Sequence, residues 1–278
     1  MKIIWKERIM KAVLWASSII TMAVLILILF YILGRGIKMI NFNFIIESPR
    51  EMGTEGGIFP AIIGTIYLTL TTVAVAAPIG VAAGIYLAEY ACESPWVKVI
   101  RFGTNVLSAI PSILFGLFGY ALFVVILKPI TGGWSIISGA LTGAIMILPL
   151  IIRSSEETIK ALPKEYKEGS LALGATRWQT TIDILLPASM PGIVTGIILG
   201  IGRIIGETAA LLLTLGGSVL LPHSIFDPAR TLAMHIYLVA MEVGAMDVAF
   251  GAASVLIITI LILNFTTRII IKRYTKFF

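Results

Sequence analysis

Charge, cysteine and the signatures of several enzyme classes are scarce or missing in this 278-residue chain. Only 13% of its residues are charged, about half of the roughly 25% usual in soluble domains, so it cannot clothe a water-facing surface of ordinary composition. Cys92 is the only cysteine, which excludes an internal disulfide and the disulfide-framed secreted class. No G-x-x-x-x-G-K-[ST] phosphate loop occurs, nor any Gly-Lys pair, so ATP hydrolysis by that route is excluded. H-E-x-x-H and G-x-S-x-G are absent too, leaving metalloprotease and serine hydrolase chemistry without a foothold. His223 and His235 have no partners at metal-ligand spacing, and no metal site is expected. GIGRIIG, residues 200–206, fails the dinucleotide-binding spacing.

What is present is apolar. Hydrophobic residues make up 58% of the chain and the mean hydropathy is +1.00, which marks a membrane protein. Charge-free runs extend from Ala12 to Gly34, Gly56 to Ala88, Phe102 to Leu127, Pro129 to Ile152 and Val248 to Thr267, each long enough for the roughly 20-residue crossing of a bilayer. A sixth crossing is supplied by GIVTGIILGIGRIIGETAALLLT, residues 192–214, interrupted only by Arg203 and Glu207. Six crossings put the two basic ends, MKIIWKERIMK and RIIIKRYTK, on one side. The N-terminal tail, residues 89–101, residues 153–183 and the C-terminal tail hold most of the 21 Lys and Arg, so that side is expected to be cytoplasmic. The net charge of +6 is then explained by orientation and lipid headgroups, without nucleic acid. The first apolar run is too long for the core of a cleaved signal peptide and reads as a retained anchor. Cys92, at the end of the second run, reads as a small buried or interfacial residue on the reducing side. Pro78, Pro111 and Pro149 are expected to kink their spans.

The longest polar segment on the expected cytoplasmic side is RSSEETIKALPKEYKEGSLALGATRWQTTIDILLP, residues 153–187. Its apolar residues recur at helical spacing, and Pro163 and Gly174 punctuate it into short helices. Helices that short are marginal alone in water and need a surface to pack on. Small residues suit a face pressed against a partner, a glycine suits the reversal, and Pro187 suits the start of the next span. From Glu168 the segment resembles the cytoplasmic loop of binding-protein-dependent ABC importer permeases, E-A-A, three residues, G, nine residues, I-x-L-P. Glu168, Gly174, Ile184, Leu186 and Pro187 fall in register, Ala175 follows the glycine, and Gly169 and Ser170 stand where the pattern has two alanines. The resemblance implies a coupling helix that docks on a separate ATPase subunit.

The charged stretch is the second unusual feature. With Pro187 marking the inner boundary, the fifth span is expected to start near Ser189 or Met190 and end near Leu211. Arg203 and Glu207 then fall inside it, where a lipid-facing charge costs about 2.5–3.5 kcal/mol on insertion scales. At about 100° per residue, Gly192, Gly196, Gly200, Arg203 and Glu207 share a stripe about 80° wide, so the charges lie on the face without bulk. Three readings follow. Arg203 and Glu207 form an ion pair that locks the span to its neighbours; or the span shifts to residues 184–202, leaving Arg203 at the exit and ALLLTLGGSVLLP interfacial; or Arg203 lies on the path of an anion with Glu207 orienting it.

G-R-I-I-G-E-T-A-A-L-L-L-T is similar to the A-R-x-x-G-E-T-A-P-L-L segment of the phosphate importer permeases, of the PstA type more than of its PstC-type partner, with Ala210 in place of proline. PLIIRSSEE, residues 149–157, is similar to the same family's stretch at the inner end of the preceding span, with Arg153 matching its arginine. The resemblance implies an all-α polytopic membrane protein with six transmembrane helices: an N-terminal tail, helix and outward linker (1–58), a five-helix MetI-like core (59–270) carrying the coupling loop 153–187, and a basic tail (271–278). It further implies a phosphate pathway involving Arg203, Glu207 and Arg153, a PstC-like second permease, a PstB-like ATPase dimer and a PstS-like extracytoplasmic phosphate-binding protein. ATP and Mg2+ would reside on the ATPase, with no cofactor and no bond chemistry on this chain. Sulfate, molybdate or phosphonate permeases share the loop, and a secondary anion transporter or channel would explain the charges but not I-L-L-P.

Overall fold

A computed structural model describes residues 2–92 and 94–274; the end of the expected basic tail, residues 275–278, lies outside the described residues. The fold is all-α apart from two two-residue strands, Pro49–Arg50 and Glu55–Gly56, paired antiparallel. Five helices are long and apolar enough to cross a membrane: Lys6–Gly36, Phe59–Tyr90, Ile136–Lys160, Arg177–Ile205 and Met246–Thr266. A sixth crossing comes from the bent pair Pro95–Ala109 and Ser112–Ile126. In chain order these are the six spans, and the connectivity places both ends on one face, the termini face.

The first span stands apart. None of its most apolar window is buried, so the rest of this chain leaves its side chains uncovered. It meets the sixth span near the far face. There Gly36 lies against the Phe250 backbone and Ser254, Ser254 Oγ donates to the Ile32 carbonyl at 3.3 Å, and Arg35 stacks over Tyr31 and Phe250.

The fourth span, Ile136–Lys160, is the axis of the rest, with 67% of its apolar window buried. Between helices in lipid there is little hydrophobic drive, so close backbone approach through small residues holds them together. The second span brings Gly80 against Ile151 and Gly84 against Ser155 and the Ile152 carbonyl. The fifth brings Gly192 against Thr158, Gly196 against Ser154 and Gly200 against Ile147, and Ser154 Oγ donates to the Gly192 carbonyl at 3.2 Å. The glycine stripe of the fifth span is therefore filled by side chains of the fourth. Leu68, Ala76, Ile147, Ile151, Ile204, Leu211 and Leu215 form the main buried cluster.

Several expectations are corrected. Pro111 does more than kink the third span: the helix breaks at Ile110–Pro111 and turns by 104°. A residue before proline is pushed toward extended backbone, and Ile110 has ψ 132°. The segment Pro95–Ala109 is an elbow helix, and only Ser112–Ile126 continues across. Pro187 does not start the fifth span. Helix runs from Arg177 through Pro187 to Ile205: a wider π-type turn over Thr180–Leu185 leads into the regular helix Leu186–Ile205, and Pro187 sits in the first turn of that helix, where a missing N–H is tolerated. The fifth span ends at Ile205 with Gly206 as its cap, six residues short of Leu211, so Glu207 lies beyond it. The displaced-span reading is nearer on this point, but the segment that follows is not wholly interfacial, since Ala209–Thr214 is a short helix with Ala210, Leu211 and Thr214 buried. Residues 153–160 belong to the fourth span, so the polar connection reduces to a short turn, the connecting helix Lys164–Ala172, and the reversal at Gly174. Cys92 is exposed, not buried.

Candidate functional site

Arg203 occupies the last turn of the fifth span, where a cation faces the negative end of the helix dipole. It is half-buried, and its guanidinium has no hydrogen-bond or ion-pair partner among the described residues. The ion pair with Glu207 does not form, because the helix ends between the two. The Glu207 amide donates to the Ile204 carbonyl at 3.1 Å, closing the span. Its carboxylate Oε1 accepts from the Ala210 amide at 3.2 Å, capping the start of the Ala209–Thr214 helix. One carboxylate thus ends one helix and begins another, leaving Oε2 without a partner among the described residues.

The Ala209–Thr214 helix is held by three contacts, from the third span and from the turn before the fourth. Gly116 of the third span lies against the Ala210 backbone, Trp134 Nε1 donates to the Leu213 carbonyl at 3.1 Å, and the Ser135 amide donates to the Thr214 carbonyl at 3.4 Å. Arg203 therefore stands beside a rigid, packed turn. A half-buried guanidinium with no ion-pair partner among the described residues can attract and hold an oxyanion.

Arg153 lies one face away, toward the termini. It is exposed and paired through Nε with Glu157 Oε1 at 2.7 Å. It lines a polar cleft of about 310 Å3 between the elbow helix and the fourth span, with Asn105, Ser108, Glu156 and Lys160. Glu156, largely buried, accepts from Arg101 at 2.8 Å and Lys160 at 2.6 Å. Arg203 and Arg153 are thus at opposite ends of the core and do not form one site. Arg101 and Glu156 were not singled out by spacing, although Lys98, Arg101, Asn105 and Ser108 make a polar stripe at helical intervals that marks the elbow helix.

In the connecting segment, Glu168 is exposed and Gly169 faces open space. Gly174 has φ +89°, a conformation cheap only for glycine; it caps the connecting helix, and the Ala175 amide returns to the Ser170 carbonyl at 3.2 Å. Thr176 and Gln179 form a capping box that starts the next helix. Ser170 Oγ meets Thr180 Oγ1 at 3.0 Å. Ile184, Leu186 and Pro187 lie beyond, in the termini-face end of the fifth span, with Ile184 partly exposed and the other two half-buried. No residue of the connecting helix is buried, so its whole outer face is free for a partner.

On the far face, His235 in the short helix Leu232–Leu238 is fully buried, under Gly53 of the two-stranded hairpin. Neither ring nitrogen has a hydrogen-bond partner. Burial first, then the charge of Arg230, pushes its pKa down to about 4. The described residues hold no group of three His, Cys, Asp or Glu able to bind a metal.

Comparison with known proteins agrees with this geometry. The profile of the family described as binding-protein-dependent transport system inner membrane component matches residues 80–276. The probable ABC transporter permease protein YqgI of Bacillus subtilis (strain 168) is 38% identical over 263 residues, 88% of each chain. The phosphate transport system permease protein PstA of Yersinia pestis is 35% identical over 271 residues, 96% of this chain and 90% of that one. Among solved structures, a chain of a bacterial alginate ABC transporter, in complex with an alginate pentasaccharide-bound periplasmic protein, superposes with a TM-score of 0.68 over 96% of this chain and 98% of that one; at 16% identity this likeness speaks to the fold. With the profile covering most of the chain and the two relatives matching nearly end to end, this multi-pass membrane protein belongs to the family of binding-protein-dependent transport system inner membrane components.

Proposed function

We propose that this chain is the PstA-type permease subunit of an ATP-driven phosphate importer, with both termini cytoplasmic. It provides half of a translocation pathway whose other half is a second, PstC-like permease. A PstB-like ATPase dimer presses on the connecting segment from the cytoplasm, and an extracytoplasmic PstS-like protein delivers phosphate to the far face. ATP and Mg2+ belong to the ATPase. The name of the Yersinia pestis relative supports the substrate, and the exposed connecting helix supports the ATPase partner.

The observation that carries the reading is the Arg203 guanidinium, half-buried beside the helix break with no carboxylate partner among the described residues. Phosphate carries one to two negative charges at neutral pH, and the planar fork of arginine matches two of its oxygens at once. Lysine keeps the charge and loses the fork. In the assembled transporter reconstituted in vesicles, Arg203→Lys is expected to lower ATP-dependent phosphate uptake about tenfold or more, the size of a lost charge-assisted hydrogen bond of about 1.4 kcal/mol or more. Uptake by Arg203→Lys equal to the parent defeats direct contact, and sulfate competing as well as phosphate against the parent defeats the substrate assignment.

A further inference from the structure

We infer that the ion pair between Lys167 of the connecting helix and Glu89 at the end of the second span is a strut that carries the partner ATPase's push into the membrane core. The inference rests on the coupling role proposed above and adds the route by which the push travels.

The connecting helix Lys164–Ala172 is joined by the chain to the fourth and fifth spans only. At one end lies the turn Ala161–Leu162–Pro163, and at the other Gly174, in a left-handed conformation with open space around it. Both ends are short turns at element boundaries, the kind of position that absorbs a change of backbone direction. Between the helix and the spans lies a cleft of about 390 Å3 lined by Glu89, Ile159, Leu162, Leu171 and Leu185, and no residue of the helix itself is buried. Among the described residues, two polar side-chain contacts cross the gap. Ser170 meets Thr180 at 3.0 Å, which leads into the fifth span. Lys167 Nζ meets Glu89 Oε2 at 2.6 Å, which leads into the second span, to which the helix has no covalent link.

Glu89 suits the task. Its side chain is only 12% exposed, so salt screens the pair less than a surface pair. It sits in the wide turn Tyr86–Tyr90 that ends the second span, next to Tyr90, whose hydroxyl reaches Thr181 Oγ1 at 3.5 Å. One and two turns back along that span, Gly84 and Gly80 press on Ser155, Ile152 and Ile151 of the fourth. A Cβ at either glycine would collide, so the second and fourth spans have no slack and move together. Displacement of the connecting helix is thereby transmitted to the packed pair at the centre of the fold.

The test is charge reversal and its swap in the assembled transporter, reading three quantities: ATPase retained on purification, phosphate taken up, and phosphate moved per ATP hydrolysed. Lys167→Glu and Glu89→Lys are each expected to retain the ATPase while phosphate per ATP falls about fivefold or more, within the usual range of coupling factors. The double variant Glu89→Lys with Lys167→Glu is expected to recover most of the loss. Glu89→Gln, which keeps the side-chain shape, should show the same direction of effect where a reversed variant assembles poorly. Three results overturn the strut: phosphate per ATP unchanged in Glu89→Gln and both reversals, a swap that recovers nothing, or loss of the ATPase from Lys167→Glu alone, which would make Lys167 a docking residue. Failure of the parent chain to retain any ATPase would instead overturn the coupling role itself.

Discussion

At the scale of single residues, Arg203, Glu207 and His235 divide by what they touch. Arg203 is half-buried and has no ion-pair partner among the described residues, and that is the state in which a cation is available to a passing anion. Glu207 is engaged with backbone, so its first duty is to shape the turn beside Arg203. His235 is buried and neutral. Its unfolded form takes up a proton below about 6.5, while the folded form resists protonation until about pH 4. Between these values the unfolded state binds more protons, so stability falls as pH is lowered from about 6.5 toward 4, by about 3 kcal/mol at the acid end, and is unaffected above neutrality. Because neither ring nitrogen has a partner, an apolar replacement of similar size leaves no donor or acceptor stranded. We expect the purified chain in detergent to melt at a lower temperature at pH 5 than at pH 7.5, and His235→Met to flatten that difference. An identical acid shift in the variant would sink the assignment to His235.

At the scale of elements, the glycines of the fifth span do the work of packing. A Cβ at Gly196 would meet Ser154 of the fourth span, and both backbones are fixed by neighbours on either side. Gly196→Val is expected to destabilise the chain by about 1–3 kcal/mol, the range for overpacking a well-filled interior, read as a lower melting temperature and reduced recovery from membranes. Adding Ser154→Gly vacates the volume and should restore much of the loss; no recovery would show that the two helices do not meet there. The stripe Gly192, Gly196 and Gly200 was legible in the sequence because a 3.6-residue period survives in any apolar run. Element ends were less so. Hydropathy registers that a segment is apolar and is blind to its direction, so the break at Pro111 and the stop at Gly206 both hid inside continuous apolar stretches. The polar stripe from Lys98 to Ser108 signals the elbow helix, and G-E-T at 206–208 signals a stop followed by a cap. The Lys167–Glu89 contact had no local signal at all, since it joins residues far apart in sequence through the turn of the connecting helix.

At the scale of the whole molecule, the fold separates a central unit from two lightly attached parts. The second, fourth and fifth spans form one tightly packed body. The first span lies outside it, packed against the sixth, and the connecting helix, with no buried residue, is tied to it by the Lys167–Glu89 and Ser170–Thr180 contacts. A rigid body with a loosely hinged lever suits alternating access, because displacement of the lever need not melt the core. The same separation makes the lever removable. Replacing residues 164–178 by a Gly/Ser stretch of equal length takes away Glu168, Gly169, Ser170 and the capping box, but removes no residue buried in the core. The spans bury their own surfaces and satisfy their own backbones, as lipid demands of any crossing segment. Membrane insertion and the melting temperature of the isolated chain should therefore stay close to the parent, while co-purification of the ATPase disappears. A variant that still retains the ATPase would place the docking surface elsewhere on the termini face. One that fails to insert would mean that the connecting helix helps build the core, contrary to the open cleft above it.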